Sequence, residues 1–118
     1  MAESVLQEKS FSFALHIVAA YKKLCAINEY VLSKQMLRSG TSIGANISEA
    51  NMAQSKADFS SKMYIALNEA NETNYWIRLL KESAYMDEAT AMELHHECSE
   101  LIRMLVSTTK TTAPRPTT

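Results

Sequence analysis

Val31 to Ala50 reads VLSKQMLRSGTSIGANISEA and holds both glycines of the 118-residue chain, Gly40 and Gly44. Apolar or small residues fall at Leu32, Met36, Gly40, Ile43, Ile47 and Ala50, in steps of four and three. That rhythm marks one face of an α-helix. A Ser-Gly pair ordinarily suggests a turn, and each glycine inside a helix costs roughly 1 kcal/mol against alanine. The stripe nevertheless keeps its phase across Gly40 and Gly44, so one continuous helix is expected, from Val31 to about Ala53. Its glycines would let a neighbouring backbone approach closely. Arg38, Ser42, Asn46 and Glu49 repeat on another face. They are expected to form a hydrogen-bond network buried between helices or subunits, where unpaired groups would be costly. A solvated face, or contact with nucleic acid through Arg38, is the alternative.

Working outward, Ser55-Lys56-Ala57-Asp58 is the next helix start, a serine N-cap with an acid three residues on. Phe59, Met63, Ala66, Ala70, Thr73, Ile77, Leu80 and Ala84 then alternate steps of four and three, the pattern of left-handed bundle packing. A helix from Lys56 to Ala84 would be about 43 Å long and would overhang shorter neighbours. After Tyr85-Met86, Asp87 is the expected N-cap of a last helix with Ala91, Leu94, Cys98, Leu101 and Leu105 buried. Upstream, Ser4 and Gln7 fit a capping box for a first helix ending near Ala26. That helix carries two adjacent apolar stripes, Phe11, Ala14, Val18, Tyr21 and Cys25 beside Phe13, Ile17, Ala20 and Leu24. One broad stripe suffices for a bundle core. The surplus makes Phe11, Phe13, Ile17, Val18, Tyr21 and Leu24 candidates for an oligomer interface, with either stripe facing the neighbour. Four helices with short links give an all-α, antiparallel up-down-up-down bundle over residues 1–109. The threonine- and proline-rich tail, 110–118, is expected to be disordered.

Bulk composition narrows the function. The ordered body carries ten basic against thirteen acidic residues, since Lys110 and Arg115 lie in the tail. Proteins that depend on phosphate contacts usually show the reverse balance. GTSIGAN lacks the Lys-Ser/Thr of a phosphate-binding loop. His95 and His96 point about 100° apart, and His95 with Cys98, a feasible pair, falls short of the three or four ligands of a zinc site, so no metal or other cofactor is expected. Glu69 and Glu72, near Arg38 or Lys62, read as an ion-pair network rather than an acid–base couple. Cys25 and Cys98 read as core residues. No catalytic residue stands out, and neither a membrane span nor a small-molecule substrate is expected. With no signal-like start, the cytoplasm is the expected location.

The segments SFSFALHIVAAYKKL, EYVLSKQMLRSGTSIGANISEA and SKADFSSKMYIALNEANETNYWIRLL resemble a bacterial four-helix-bundle family. It is named for proteins encoded in intervening sequences of 23S ribosomal RNA genes. The family is related to the accessory variability protein of diversity-generating retroelements, which forms a homopentameric barrel, binds nucleic acid and assists a reverse transcriptase. The resemblance spans about residues 10 to 105, RSGTSIGANISEA being its most specific part. It implies a four-helix bundle assembled as a homopentameric ring. Most members have no established biochemical role, and the expected function is a non-enzymatic homo-oligomeric scaffold or adaptor whose first partner is itself. Its alternative is an accessory protein that binds RNA or DNA.

Overall fold

The computed structural model describes residues 2–112, with side chains from Val5 to Thr111. Four helices follow one another: α1 (Ala2–Ala26), α2 (Leu32–Ala50), α3 (Lys56–Glu82) and α4 (Glu88–Thr112). Each packs on its sequence neighbours and α1 closes the square against α4, which is the antiparallel bundle expected. The Ser4 side of the capping box and residues 113–118 lie outside the described residues. α4 continues to Thr112, three residues past the boundary set at 109. The long helix does not stand alone, because α1, α3 and α4 have 25, 27 and 25 residues and only α2, with 19, is short.

Two of the starts read from sequence are made by the expected side chains. Ser55 Oγ accepts from the Asp58 N–H at 3.0 Å, and Asp87 Oδ2 accepts from the Thr90 N–H at 3.0 Å. The start of α2 is made by Glu29, which the sequence reading passed over. Its carboxylate accepts from the N–H groups of Val31, Leu32 and Ser33, at 3.3, 3.1 and 2.6 Å. The Ser33 hydroxyl donates in turn to the Glu29 carbonyl at 2.7 Å. The carboxylate thus satisfies several of the donors that a helix start leaves free, and it meets the positive end of the helix dipole.

α1 and α3 end alike. The Glu29 and Tyr85 N–H groups reach back to the Leu24 and Leu80 carbonyls, at 2.9 and 3.0 Å. Asn28 and Ala84 turn through the left-handed region between them, at φ 65° and 66°. These are Schellman ends, for which glycine is the usual residue. Here Asn28 and Ala84 occupy the turns, while both glycines lie inside α2.

The reason for that placement lies on α1. A Cβ on Gly40 would sit 2.9 Å from Cγ1 and 3.0 Å from Cγ2 of Ile17, itself fully buried. A Cβ on Gly44 would meet Ser10 Oγ at 3.3 Å and the Ser10 backbone at 3.5 Å. The helix is therefore continuous, and its glycines face a closely packed neighbour. Around this contact the core contains Phe13 and Ile17, Met36, Ile43 and Ile47, Met63, Ala66, Ala70 and Ile77, and Leu94, Cys98, Leu101 and Leu105. Ala84 alone of the α3 stripe is exposed, because the chain has already turned there. A hydroxyl pair crosses the core: the Thr73 hydroxyl lies 2.9 Å from Ser39 Oγ, and both residues are fully buried.

Two expectations follow. Gly40→Ala should lower stability by about 1–3 kcal/mol, because Ile17 has nowhere to move. Gly44→Ala should be neutral or stabilising, up to the roughly 1 kcal/mol of its helix propensity, whereas Gly44→Leu should overpack. Urea midpoints compare the three, and an unaffected Gly40→Ala would remove the close-contact account.

Burial acts to raise the Glu29 pKa, but the hydrogen bonds from Ser33, Leu32 and Val31 outweigh it, and the net shift is downward from 4.5. A depressed carboxylate contributes stability that is present above pH 4.5 and lost as pH falls through the folded value. Glu29→Gln should therefore cost about 1 kcal/mol near neutral pH, a typical capping loss, and nothing once Glu29 is protonated. Denaturation of both proteins between pH 7 and 3 checks this; curves that stay parallel would contradict it.

Candidate interaction surfaces

The two stripes of α1 separate cleanly in three dimensions. Phe13, Ile17 and Leu24 are buried in the chain's own bundle together with Leu6 and Ala20, so these three are not interface residues. The other stripe looks outward. Phe11 is 66% exposed, and Val18 and Tyr21 are half-buried. The reading of the sequence missed Leu15, which lies one turn beyond Phe11 and is 56% exposed. Its position four residues from Phe11 was the available signal.

Phe11 and Leu15 flank an open groove of about 820 Å³ between α1 and α2. Ala14, Thr41, Gly44 and Ala45 line it as well. Gly44 thus has two roles: it faces the backbone of Ser10, and it keeps the groove open above that contact. Small and apolar side chains dominate the groove, and among the described residues Glu8 at one end is its only charged lining residue.

Two of the other seams carry charged pairs, whereas α3/α4 exposes Tyr75 and Met92. Across α1 and α4, Lys9 Nζ lies 2.9 Å from Glu100 Oε1, and His16 Nδ1 lies 2.7 and 2.9 Å from the two Glu97 oxygens. Across α2 and α3, Lys62 Nζ is 3.6 Å from Glu49 Oε1. Glu69 on that side has its pKa raised, first by burial and then by the nearby Glu72 charge, with Arg38 opposing. Glu72 itself accepts from Trp76 Nε1 at 3.2 Å.

Within the chain, the stripe Arg38, Ser42, Asn46 and Glu49 is not a network buried between helices. Asn46 Nδ2 donates to the Ser42 carbonyl and hydroxyl on its own helix, at 2.9 and 3.0 Å. Arg38 and Glu49 are exposed. The stripe sits on the outer side of α2 next to α3, where long charged side chains reach water. The buried polar pair is Ser39–Thr73 instead, one position along from Arg38. Hydroxyls can be enclosed there because each also reaches a carbonyl in its own helix, Met36 for Ser39 and Glu69 for Thr73.

The histidine–cysteine cluster comes apart as well. His95 Nδ1 is 3.2 Å from Asn74 Oδ1, whereas the Cys98 thiol donates to the Ala70 carbonyl at 3.2 Å in the core. Burial pushes that thiol up to about 12, so it stays protonated and unreactive at neutral pH. Cys25 is only half-buried rather than a core residue. Among the described residues no three His, Cys, Asp or Glu side chains converge as metal ligands, and no helix is long and apolar enough to cross a membrane.

The links at one end of the bundle form a second surface. Both Schellman turns lie there, exposing Ile27, Tyr30 and Val31 on one side and Tyr85 on the other. Lys22 and Lys23 at the end of α1, Lys34 at the start of α2 and Lys81 at the end of α3 share this end. Glu82, Asp87 and Glu88 are there too, with Asp87 occupied in capping α4.

Residues 3–107 match the family model described as 23S rRNA-intervening sequence protein. A solved structure with the same architecture is a protein of unknown function from the S23 ribosomal protein family of Bacteroides thetaiotaomicron. It is 48% identical, with a TM-score of 0.91 over 93% of this chain and 99% of that one. The comparison with curated proteins returns no match.

Proposed function

The chain belongs to the 23S rRNA-intervening sequence protein family, and we propose that it acts as a non-enzymatic, homo-oligomeric scaffold whose subunits meet through the α1/α2 face. The observation that carries this reading is the Phe11–Leu15 groove. Two large apolar side chains stand more than half exposed beside small residues, while the α1/α4 and α2/α3 seams bear ion pairs. Contiguous apolar surface of this kind marks an interaction site. Burying Phe11 and Leu15 would contribute up to about 1.5–3 kcal/mol for each side chain fully enclosed, a part of what must offset the cost of association. Five-fold closure comes from the family resemblance. The scaffold would present its outer surface or central channel to another macromolecule.

Light scattering coupled to size exclusion tests this. The parent protein should have five times the 13.2 kDa chain mass. Leu15→Glu should weaken association at least tenfold with helicity unchanged, which corresponds to about 1.4 kcal/mol or more. Ile17→Glu should instead unfold the chain, because its side chain lies in the core. A parent mass near 13.2 kDa at micromolar concentration would remove the scaffold reading.

A second reading, a nucleic-acid-binding accessory protein that works with a reverse transcriptase, is favoured by the loop end of the bundle. Tyr30 and Tyr85 are 56% and 45% exposed, on links that the fold brings to the same end as Lys22, Lys23, Lys34 and Lys81. Aromatic faces among cations suit unpaired bases. Under this reading a gel shift with structured RNA or DNA should be salt-sensitive and should weaken at least tenfold in the Lys22→Glu, Lys34→Glu double variant. No shift at low salt, or one indifferent to both charges, would exclude this end as the site.

A further inference from the structure

We propose that the cleft between α3 and α4 binds a single nucleoside phosphate. The proposal goes beyond the scaffold reading and needs neither a ring nor the α1/α2 groove. The cleft is open and holds about 500 Å³, within the usual range for small ligands. Ile77 and Ala91, both buried, line its apolar base. α3 supplies Asn71, Tyr75 and Arg78 along one face, in steps of four and three, and Lys81 three residues further on. α4 supplies Met92 and His95 from the other side.

The order of groups along α3 selects the ligand. At one end Arg78 and Lys81 are neighbours on the helix surface, so one phosphate can reach both and take charge-assisted hydrogen bonds from each. Arg78 is exposed and, among the described residues, pairs with no carboxylate. Lys81 is 3.9 Å from Glu82, a loose contact between exposed side chains, and the two cations leave this end positive. In the middle stand an aromatic and an apolar surface, Tyr75 on α3 at 59% exposed and Met92 on α4 at 65%. The Tyr75 ring is edge-on to Trp76 with centroids 5.0 Å apart, so a stacking base would meet a surface already held in place. Beyond it, the Asn71 amide offers a donor and an acceptor side by side, the pattern that a purine edge matches. That amide makes no hydrogen bond among the described residues, whereas Asn74 Oδ1 lies 3.2 Å from His95 Nδ1. From Asn71 to Arg78 the helix rises about 10 Å. Phosphate, base face and base edge thus find partners in the order in which one nucleotide carries them. A strand fits less well, because strand-binding grooves follow the backbone with a track of cations. Here the cations are confined to one end, and Glu72 follows Asn71 at the other.

Calorimetric titration of the full chain with adenosine monophosphate tests this, with adenosine, inorganic phosphate and oligoadenylate as comparisons. Trp76, the chain's only tryptophan, packs on Tyr75 and reports occupancy through its emission. The monophosphate should bind once per chain and about tenfold or more tightly than adenosine, which lacks the charged contacts, or phosphate, which lacks the stack. Arg78→Gln and Tyr75→Ala should each weaken it about tenfold or more. Met92→Glu, which places a like charge on the facing wall, should weaken it too. All three positions are exposed, and circular dichroism confirms that the variants are folded. The Lys22→Glu, Lys34→Glu double variant should bind as the parent does, since neither residue lines the cleft. No binding by either readout at millimolar monophosphate would overturn the proposal. So would phosphate that binds equally well, or affinity that Arg78→Gln and Tyr75→Ala both leave intact. Oligoadenylate that binds far more tightly than the monophosphate would overturn it in favour of a strand, and a loss of that binding in the double variant alone would leave the accessory-protein reading standing without this cleft.

Discussion

The close approach of α1 and α2 is the contact on which the other features of this bundle depend. At Gly40 the absence of a Cβ admits the side chain of Ile17, and at Gly44 the helix lies against Ser10, whose Oγ a Cβ would approach to 3.3 Å. A helical glycine costs roughly 1 kcal/mol of intrinsic propensity, and at Gly40 the packing gained must exceed that for the arrangement to persist. It does so by letting a large branched side chain sit fully buried against a helix backbone. The same choice removes glycine from the turns. Asn28 and Ala84 then hold left-handed conformations, which asparagine tolerates and for which alanine carries a steric cost of about 1–2 kcal/mol.

Bringing α1 and α2 together also determines what faces out. Once Phe13, Ile17 and Leu24 are turned inward, Phe11 and Leu15 must point away, since they lie on the other side of the same helix. Gly44 and Ala45 give them little cover. A shallow, nearly uncharged groove is thus a consequence of the tight helix pair, and it places an apolar surface on one side of the molecule. Ion pairs line the outside of the α1/α4 and α2/α3 seams, where water screens them and each contributes little to stability.

The class of fold and most of the core were legible along the chain. Regular four-three stripes on α3 and α4 were legible because a helix buried on one side alone repeats its apolar residues at that spacing. Ser55 and Asp87 were legible as caps because their partners lie three residues away along the chain. Gly40 and Gly44 were readable as contact points, since nothing local explains glycine inside a helix in phase. Other features were decided only by the tertiary structure. Periodicity shows that two stripes of α1 are adjacent but not which one the other helices cover, and that direction depends on where α2 and α4 lie. Glu29 caps α2 through a turn whose geometry the Schellman end of α1 sets, and no sequence spacing announces it. The polar face of α2 was read one position away from the buried hydroxyls, because Ser39 is enclosed only where Thr73 arrives from another helix. Tyr30 and Tyr85 are 55 positions apart in the chain and share one end of the bundle because the helices run antiparallel. Local pattern follows from neighbours a few residues away, whereas the facing of each surface depends on partners that only the folded chain brings near.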